Sequence, residues 1–398
     1  MKVGYAYKKY PEERNIINRV EGTEYIHLKN NNEIKTYPYR LIKKFGFDNS
    51  LINTNIVDNH NIYKNYRENK VDILHLFNQV SYGNIPWITT FETVVPRFFE
   101  MLECHHGLNP SFSMVKERKK IDQVMNKLAG VSCKKIIALS NNSKKIQLEL
   151  LSEFPKYKEI IEAKIIVLPP PQRKIITSLN EKESYKQNDS DVVNFLFVGK
   201  DFFRKGGREL LNVFIKLRKE FNIHLTIVSN LNYSDYATKS NKEDKFKSLR
   251  LISQYSSWIT YYEGLPNTQV LELCKQSDIG LLPTWADTYG YSVLEMQAAG
   301  CPVITTDIRA MPEVNSDKVG WTIKVPKNRL GEGLYSTVEM RNDMSKTIEK
   351  NLYDTVISIL NNKSIIQTKA SNAIEKINKQ HSLKLYGETL LDIYRDSF

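Results

Sequence analysis

Short apolar runs punctuate this chain, separated by longer polar or mixed stretches, some of them with helical spacing. Met1–Tyr7, Val71–Phe77, Pro86–Phe91, Lys135–Ser140 and Lys164–Leu168 form a first series. Asn194–Val198, His224–Ser229, Trp258–Tyr262, Ile279–Leu282 and Val303–Thr305 form a second. Most of these runs are continuously apolar rather than alternating, which predicts strands buried on both faces, as in parallel sheets. Helical spacing over Glu209–Phe221 and Asn267–Cys274 falls between strands of the second series, so strands and helices alternate there, without an internal sequence repeat. Pro169-Pro170-Pro171 blocks a helix and begins a linker, and the polar stretch Thr177–Ser190 continues it. The chain therefore divides into an N-terminal domain, 1–185, and a C-terminal domain, 191–380, followed by an amphipathic segment, 383–398. Residues 238–250 are highly charged and read as a surface excursion.

Asp287–Glu313 is the densest patch of candidate chemistry. The strand Ile279–Leu282 runs into a loop, Pro283–Thr288, and a short helix should begin near Gly290 or Tyr291. Gly300 stands where a helix ends, and Pro302 precedes the β-branched strand Val303-Ile304-Thr305. In such βαβ units ligands bind outside the carboxyl ends of the strands. Asp287 lies in that loop, and Glu295 lies about one turn into the helix with its side chain leaning back toward the helix start. The first amides of a helix carry partial positive charge and suit a phosphate. A second candidate anion site follows Asn194–Val198: Gly199-Lys200-Asp201-Phe202-Phe203-Arg204-Lys205-Gly206-Gly207 is a glycine-bounded basic loop leading into a helix. There is no G-x-G-x-x-G, which argues against a dinucleotide site.

The acid, aromatic-glycine, Leu-Glu, small residues and G-x-P-V-I-T of DTYGYSVLEMQAAGCPVITTD resemble the E-x7-E motif of retaining glycosyltransferases of the family 4 type, here as D-x7-E. The resemblance extends over most of Asn194–Trp321. It implies an α/β protein of the GT-B fold, two Rossmann-like domains facing a central cleft, with the acceptor in the first and the donor in the second. The segment 383–398 would pack back on the first domain. The implied reaction moves a sugar from a UDP- or GDP-linked donor to a hydroxyl acceptor, with the nucleotide-sugar as substrate, no cofactor and no metal. Lys200 and Lys205 stand where the family has the Arg and Lys that grip the diphosphate, with Arg204 as a further candidate. Asp287 would hold the transferred sugar and Glu295 the ribose hydroxyls. Gly199, Glu263, Gly264, Tyr289, Gly290, Tyr291 and Ser292 complete the expected donor site, Glu263-Gly264 being the turn beside the base. Lys8-Lys9-Tyr10-Pro11 replaces the Gly-Gly loop found after the first strand of many members. Glu92 stands where many members have a histidine, so the candidate catalytic residues are Glu92, Asp287 and Lys205. A carboxylate at position 92 can accept a hydrogen bond from an acceptor hydroxyl.

Composition adjusts this picture only at its edges. No apolar run approaches a membrane span, and a cytoplasmic protein is expected. Residues 1–190 hold 30 lysines and arginines against 21 acids, so most of the net charge of +12 sits in the N-terminal half. That excess suggests an anionic partner, with peripheral contact at the inner membrane face, or simply a solvated surface. Tyr37–Phe47 mixes aromatic and basic residues and is a candidate for membrane or glycan contact, or for a packed amphipathic helix. Glu103-Cys104-His105-His106 is poor metal geometry, because adjacent helical residues diverge. No nucleic-acid recognition motif is present. The acceptor is expected to be a surface glycan or lipid-linked sugar. A degenerate GT-B subunit that binds without transferring is the alternative reading, and a sugar-nucleotide epimerase fits D-x7-E less well.

Overall fold

The computed structural model describes residues 1–32, 58–65, 71–182 and 192–397. Tyr37–Phe47 and most of the polar stretch up to Ser190 lie outside them. The chain forms two compact units. Unit 1 comprises Met1–His105, Pro110–Pro171 and Leu383–Phe398, and unit 2 comprises His106–Asn109 and Gln172–Ser382. The division falls at the end of the proline run.

Unit 1 contains strands β1 (Lys2–Tyr5), β2 (Glu24–His27), β3 (Ile62–Tyr63), β4 (Ile73–Phe77), β5 (Val80–Ser81), β6 (Trp87–Phe91), β7 (Cys133–Ala138) and β8 (Ile165–Val167). Six of them form one parallel sheet in the order β2-β1-β4-β6-β7-β8, and β3 and β5 pair separately. β4 and β6 are buried at every residue, the pattern their continuous apolarity predicts.

The C-terminal helix Leu383–Arg395 belongs to this unit. Its Tyr386, Leu390, Ile393 and Tyr394 share one core cluster with Val3, Ile73, Ile88 and Ile137. Gly387 lets the helix approach closely, since a Cβ there would meet the Arg19 carbonyl oxygen at 2.5 Å. Tyr394 Oη lies 2.7 Å from His75 Nδ1, and His75 Nε2 lies 2.8 Å from Thr90 Oγ1. Burial pushes the His75 imidazole down to about 3. The unfolded ring protonates near 6.5 and the folded ring does not, so this site favours unfolding progressively as pH falls below that value. Wild type should therefore lose about 2 kcal/mol relative to His75→Gln between pH 7 and pH 5. Urea titrations of both proteins at the two pH values measure this, and parallel losses would show that His75 does not titrate on unfolding.

Unit 2 contains β9 (Val193–Val198), β10 (Ile223–Val228), β11 (Ile259–Tyr262), β12 (Ile279–Leu282), β13 (Val303–Thr306) and β14 (Trp321–Ile323). They form a parallel sheet in the order β11-β10-β9-β12-β13-β14. Counted within the unit this is 3-2-1-4-5-6, the doubly wound order, and the direction of winding reverses between β9 and β12. The loops after these two strands therefore flank the crevice where such sheets take their ligands. Helices Gly207–Leu217 and Tyr291–Ala298 follow those loops. Part of the charged stretch 238–250 lies at the surface as expected and opens the helix Lys242–Gln254, started by a capping box between Asn241 and Asp244. Charge concealed it, because only Ser248 and Ile252 of that helix are buried. Among the described residues no helix is long and apolar enough to cross a membrane.

Candidate donor site in unit 2

The loop after β9 is built on two phenylalanines. Phe202 and Phe203 are buried, and Phe202 packs edge-on against Phe197 of β9. This anchoring turns the chain back, with Lys205 N bonded to Asp201 O and Gly207 N to Phe202 O. Gly206 takes φ +81°, a left-handed conformation that favours glycine. It also passes close to the second loop, where a Cβ would stand 2.0 Å from the Pro283 carbonyl oxygen. Gly199 serves a different approach, since a Cβ there would stand 2.3 Å from Lys205 Cδ. The lysine side chain thus crosses the start of its own loop.

Two cations tie the loop after β9 to the loop after β12. Arg204 donates to the Ala286 carbonyl at 2.5 Å and pairs with Asp201, while its own carbonyl accepts Trp285 N at 2.8 Å. It acts here as a clamp between loops. Lys205 Nζ lies 2.7 Å from Asp287 Oδ2, with both side chains largely buried. Asp287 Oδ1 accepts the Gly290 amide at 3.2 Å, so one carboxylate holds both the lysine and the start of the next helix. Burial pushes the Asp287 carboxyl up, but Lys205 and Arg204 reverse this and hold it below the usual carboxylate value.

Gly290, at φ +82°, opens the helix Tyr291–Ala298. A Cβ there would stand 2.6 Å from Met311 Cε. Ser292 Oγ is buried in the first turn and bonds no protein atom. Glu295 follows within the same helix, 8 % exposed. Tyr289 is buried and its ring lies 5.7 Å from that of Tyr291. The structure thus brings together Gly199, Arg204, Lys205, Asp287, Tyr289, Gly290, Tyr291, Ser292 and Glu295 at the two ends of β9 and β12. Lys200 belongs to the same loop and is exposed. Glu263 and Gly264 follow β11, two strands from β9, and are exposed. No described hydrogen bond joins them to the Lys205–Asp287 pair.

Glu92 lies in unit 1, just past the end of β6. It forms an ion pair with Arg97, and its amide donates to Asn78 Oδ1 at 3.2 Å. Sequence reading missed Arg97 and Asn78. Neither sits in a periodic segment, and only the pairing of β4 with β6 brings Asn78 to Glu92. Another polar group it missed is the buried Arg309–Glu332 pair beyond β13, to which Tyr335 Oη donates at 2.5 Å.

The strand orders and the two-unit construction define the class of fold: a mixed α/β protein of the GT-B type with two Rossmann-like units. Residues 180–354 match the family described as "Glycosyl transferases group 1", so the chain carries a domain of that kind. Lipopolysaccharide glucosyltransferase WaaG of Escherichia coli is 27% identical over 165 residues, which cover 40% of this chain and 41% of that protein. A 41.2 kDa protein in the cps region of Klebsiella pneumoniae is 25% identical over 258 residues, 64% of this chain and 66% of its own length. The alignments thus leave at least a third of each relative unmatched. The crystal structure of WaaG superposes with a TM-score of 0.58 at 16% identity, covering 99% of both chains. Anabaena HepE, solved in complex with UDP and glucose, superposes with a TM-score of 0.54 at 9% identity over 98% of both chains.

Proposed function

We propose that this protein is a retaining glycosyltransferase of the family 4 type that moves a sugar from a UDP- or GDP-linked donor to a hydroxyl acceptor in surface polysaccharide or glycolipid synthesis. The Lys205–Asp287 ion pair at the switch point of unit 2 carries this reading. It sets a cation for a diphosphate beside a carboxylate for sugar hydroxyls, at the start of a helix whose first amides face the same edge. Lys205, Lys200 and these amides offset the charge that grows on the departing diphosphate. Asp287 orients the transferred sugar. Glu295 accepts the ribose hydroxyls in charge-assisted bonds. The name of WaaG, a lipopolysaccharide glucosyltransferase, supports surface glycan synthesis, and the UDP and glucose of HepE support the donor class. A cytoplasmic location with peripheral membrane contact belongs to the same reading. The membrane contact rests on the N-terminal charge excess, and binding to anionic vesicles that fades with added salt would test it.

The direct experiment is a screen of UDP- and GDP-sugars that follows nucleoside diphosphate release. Glu295→Gln should weaken donor binding about tenfold while leaving the fold intact, because an amide replaces a carboxylate poorly as an acceptor for two hydroxyls. Calorimetry with the free nucleoside diphosphate and with the donor reports this. Unchanged affinity in the folded variant would reject the ribose assignment. One observation favours a second reading, binding without transfer: Glu92, the acceptor-side candidate, is already engaged by Arg97. Donor binding with no release under any acceptor would support that reading.

A further inference from the structure

Two loops of unit 2 meet above the crevice that holds the Lys205–Asp287 pair. One follows β10 and ends at the helix Lys242–Gln254, and the other follows β14. β10 and β14 are four steps apart in the sheet, about 19 Å at the usual strand spacing. Yet the Tyr236 hydroxyl of the first loop lies 3.2 Å from the Tyr335 hydroxyl of the second. The loops therefore cross the ends of β9, β12 and β13 to reach each other. Two footings place the crossing. Asn232 N donates at 3.2 Å to the carbonyl of Lys200, in the loop after β9. From the other side Gly333 rests on the loop after β12, where a Cβ would stand 2.8 Å from the Trp285 carbonyl oxygen. These are the two loops that flank the switch point.

The two tyrosines are held very differently. Tyr335 is 7 % exposed, and its hydroxyl donates at 2.5 Å to Glu332, which pairs with the buried Arg309. Tyr335 is therefore a fixed catch. Tyr236 is 40 % exposed and sits on a tip, residues 234–240, that is closed on itself. Ser240 Oγ accepts the Ser234 amide at 3.2 Å, and Thr238 N donates to the Tyr236 carbonyl at 2.7 Å. Ala237 and Lys239 take φ +55° and +51°, left-handed values that are uncommon outside glycine. Contacts, and not backbone preference, hold the tip in this shape. Among the described residues, no hydrogen bond other than that of Tyr236 with Tyr335 joins the tip to another segment. The rings of Tyr236, Tyr335 and His106, all of unit 2, add packing at centroid distances of 5.9–6.0 Å.

We propose that residues 234–240 form a lid over the donor crevice of unit 2, latched by Tyr236 on Tyr335, and that its opening sets the rate of nucleoside diphosphate exchange. The ligand named here rests on the transferase reading, and the latch itself does not. The latch is weak by construction, one hydroxyl pair and some ring packing at an exposed residue, so the lid opens locally without unfolding the unit. The catch lies on a different loop from Lys205 and Asp287. The latch therefore favours the closed form alike whether the crevice is empty or filled. Releasing it speeds entry and exit by one factor and leaves the affinity unchanged.

Stopped-flow tryptophan fluorescence with UDP and with GDP, on the whole protein, measures both rates. Tyr236→Ala should raise association and dissociation about tenfold each, with Kd unchanged. Tyr236→Phe keeps the ring packing and should raise both about threefold. A second readout needs no ligand. Lys239 is half exposed on the tip, and trypsin cleavage after it, mapped by mass spectrometry, tracks the open population. That cleavage should also rise about tenfold in Tyr236→Ala. Cleavage at the wild-type rate overturns the latch. Faster cleavage with unchanged exchange rates overturns the gating. Faster dissociation alone, with weaker affinity, overturns the lid as well, because it makes Tyr236 a contact of the ligand. Should wild type bind neither nucleotide, the transferase reading fails at that step, and the trypsin result alone supports or overturns the lid.

Discussion

Lys205→Ala should lower turnover by about two orders of magnitude, near 3 kcal/mol of barrier. On the proposed transferase reading the departing diphosphate gains charge as the sugar leaves, so the missing ammonium is felt mainly in the transition state. The structure adds a second consequence. Lys205 also neutralises Asp287, whose side chain is only 12 % exposed. Removing one partner of a buried pair leaves an uncompensated charge. Arg204 still acts on Asp287, so the destabilisation should be about 2 kcal/mol, below the range for a fully isolated buried charge. The two effects separate in a double variant. Lys205→Ala with Asp287→Asn should regain most of the stability and none of the turnover, because the buried charge is gone while the diphosphate still lacks its cation. Stability from denaturant unfolding and turnover from diphosphate release, on one preparation, decide the matter. Wild-type turnover in Lys205→Ala would show that the ammonium serves only the fold.

Gly206→Ala is expected to do more damage than any other single methyl in unit 2. At φ +81° an L-residue costs about 1–2 kcal/mol in any surroundings. Here the new Cβ would also stand 2.0 Å from the Pro283 carbonyl oxygen and 2.8 Å from its carbon. Both are backbone atoms, so no rotamer change relieves the contact. One of the two loops that flank the switch point must move, and with it the Lys205–Asp287 pair. A total loss above about 3 kcal/mol should follow, together with loss of donor binding. Gly22→Ala is the control, since Gly22 has φ +70° and a Cβ there would meet nothing within 4 Å. It should show the backbone cost alone, about 1 kcal/mol. Similar losses in the two variants would mean that the loops after β9 and β12 are not held at this distance in solution.

Much of this protein was legible before any tertiary contact was known. Buried parallel strands are nearly uniform in apolar residues, and Ile73–Phe77, Trp87–Phe91 and Ile279–Leu282 announce themselves for that reason. D-x7-E is legible because its two acids are fixed by one loop and one helix, so their spacing in the sequence is nearly their spacing in space. Local rules of this kind failed where the local signal was diluted. Lys242–Gln254 buries so little that charge outweighs its periodicity.

What only the tertiary structure decided depends on pairs far apart along the chain. Lys205 and Asp287 are separated by 82 residues and meet because β9 and β12 are adjacent in the sheet. His75 and Tyr394 are separated by 319 residues, and no periodicity in either segment encodes their contact. The role of Arg204 changed for the same reason: as a sequence it is a cation in a basic loop, and as a structure it is a clamp on Ala286 and Asp201. Glu12 lies in the first turn of the short helix Tyr10–Asn15. Only the burial that the fold imposes on it pushes its carboxyl up to about 7. Hydrophobic pattern determines which residues become strands and helices, because burial is a property of each residue. Strand order determines which polar groups share a site, because charge and hydrogen bonding act between residues that only the folded sheet brings together.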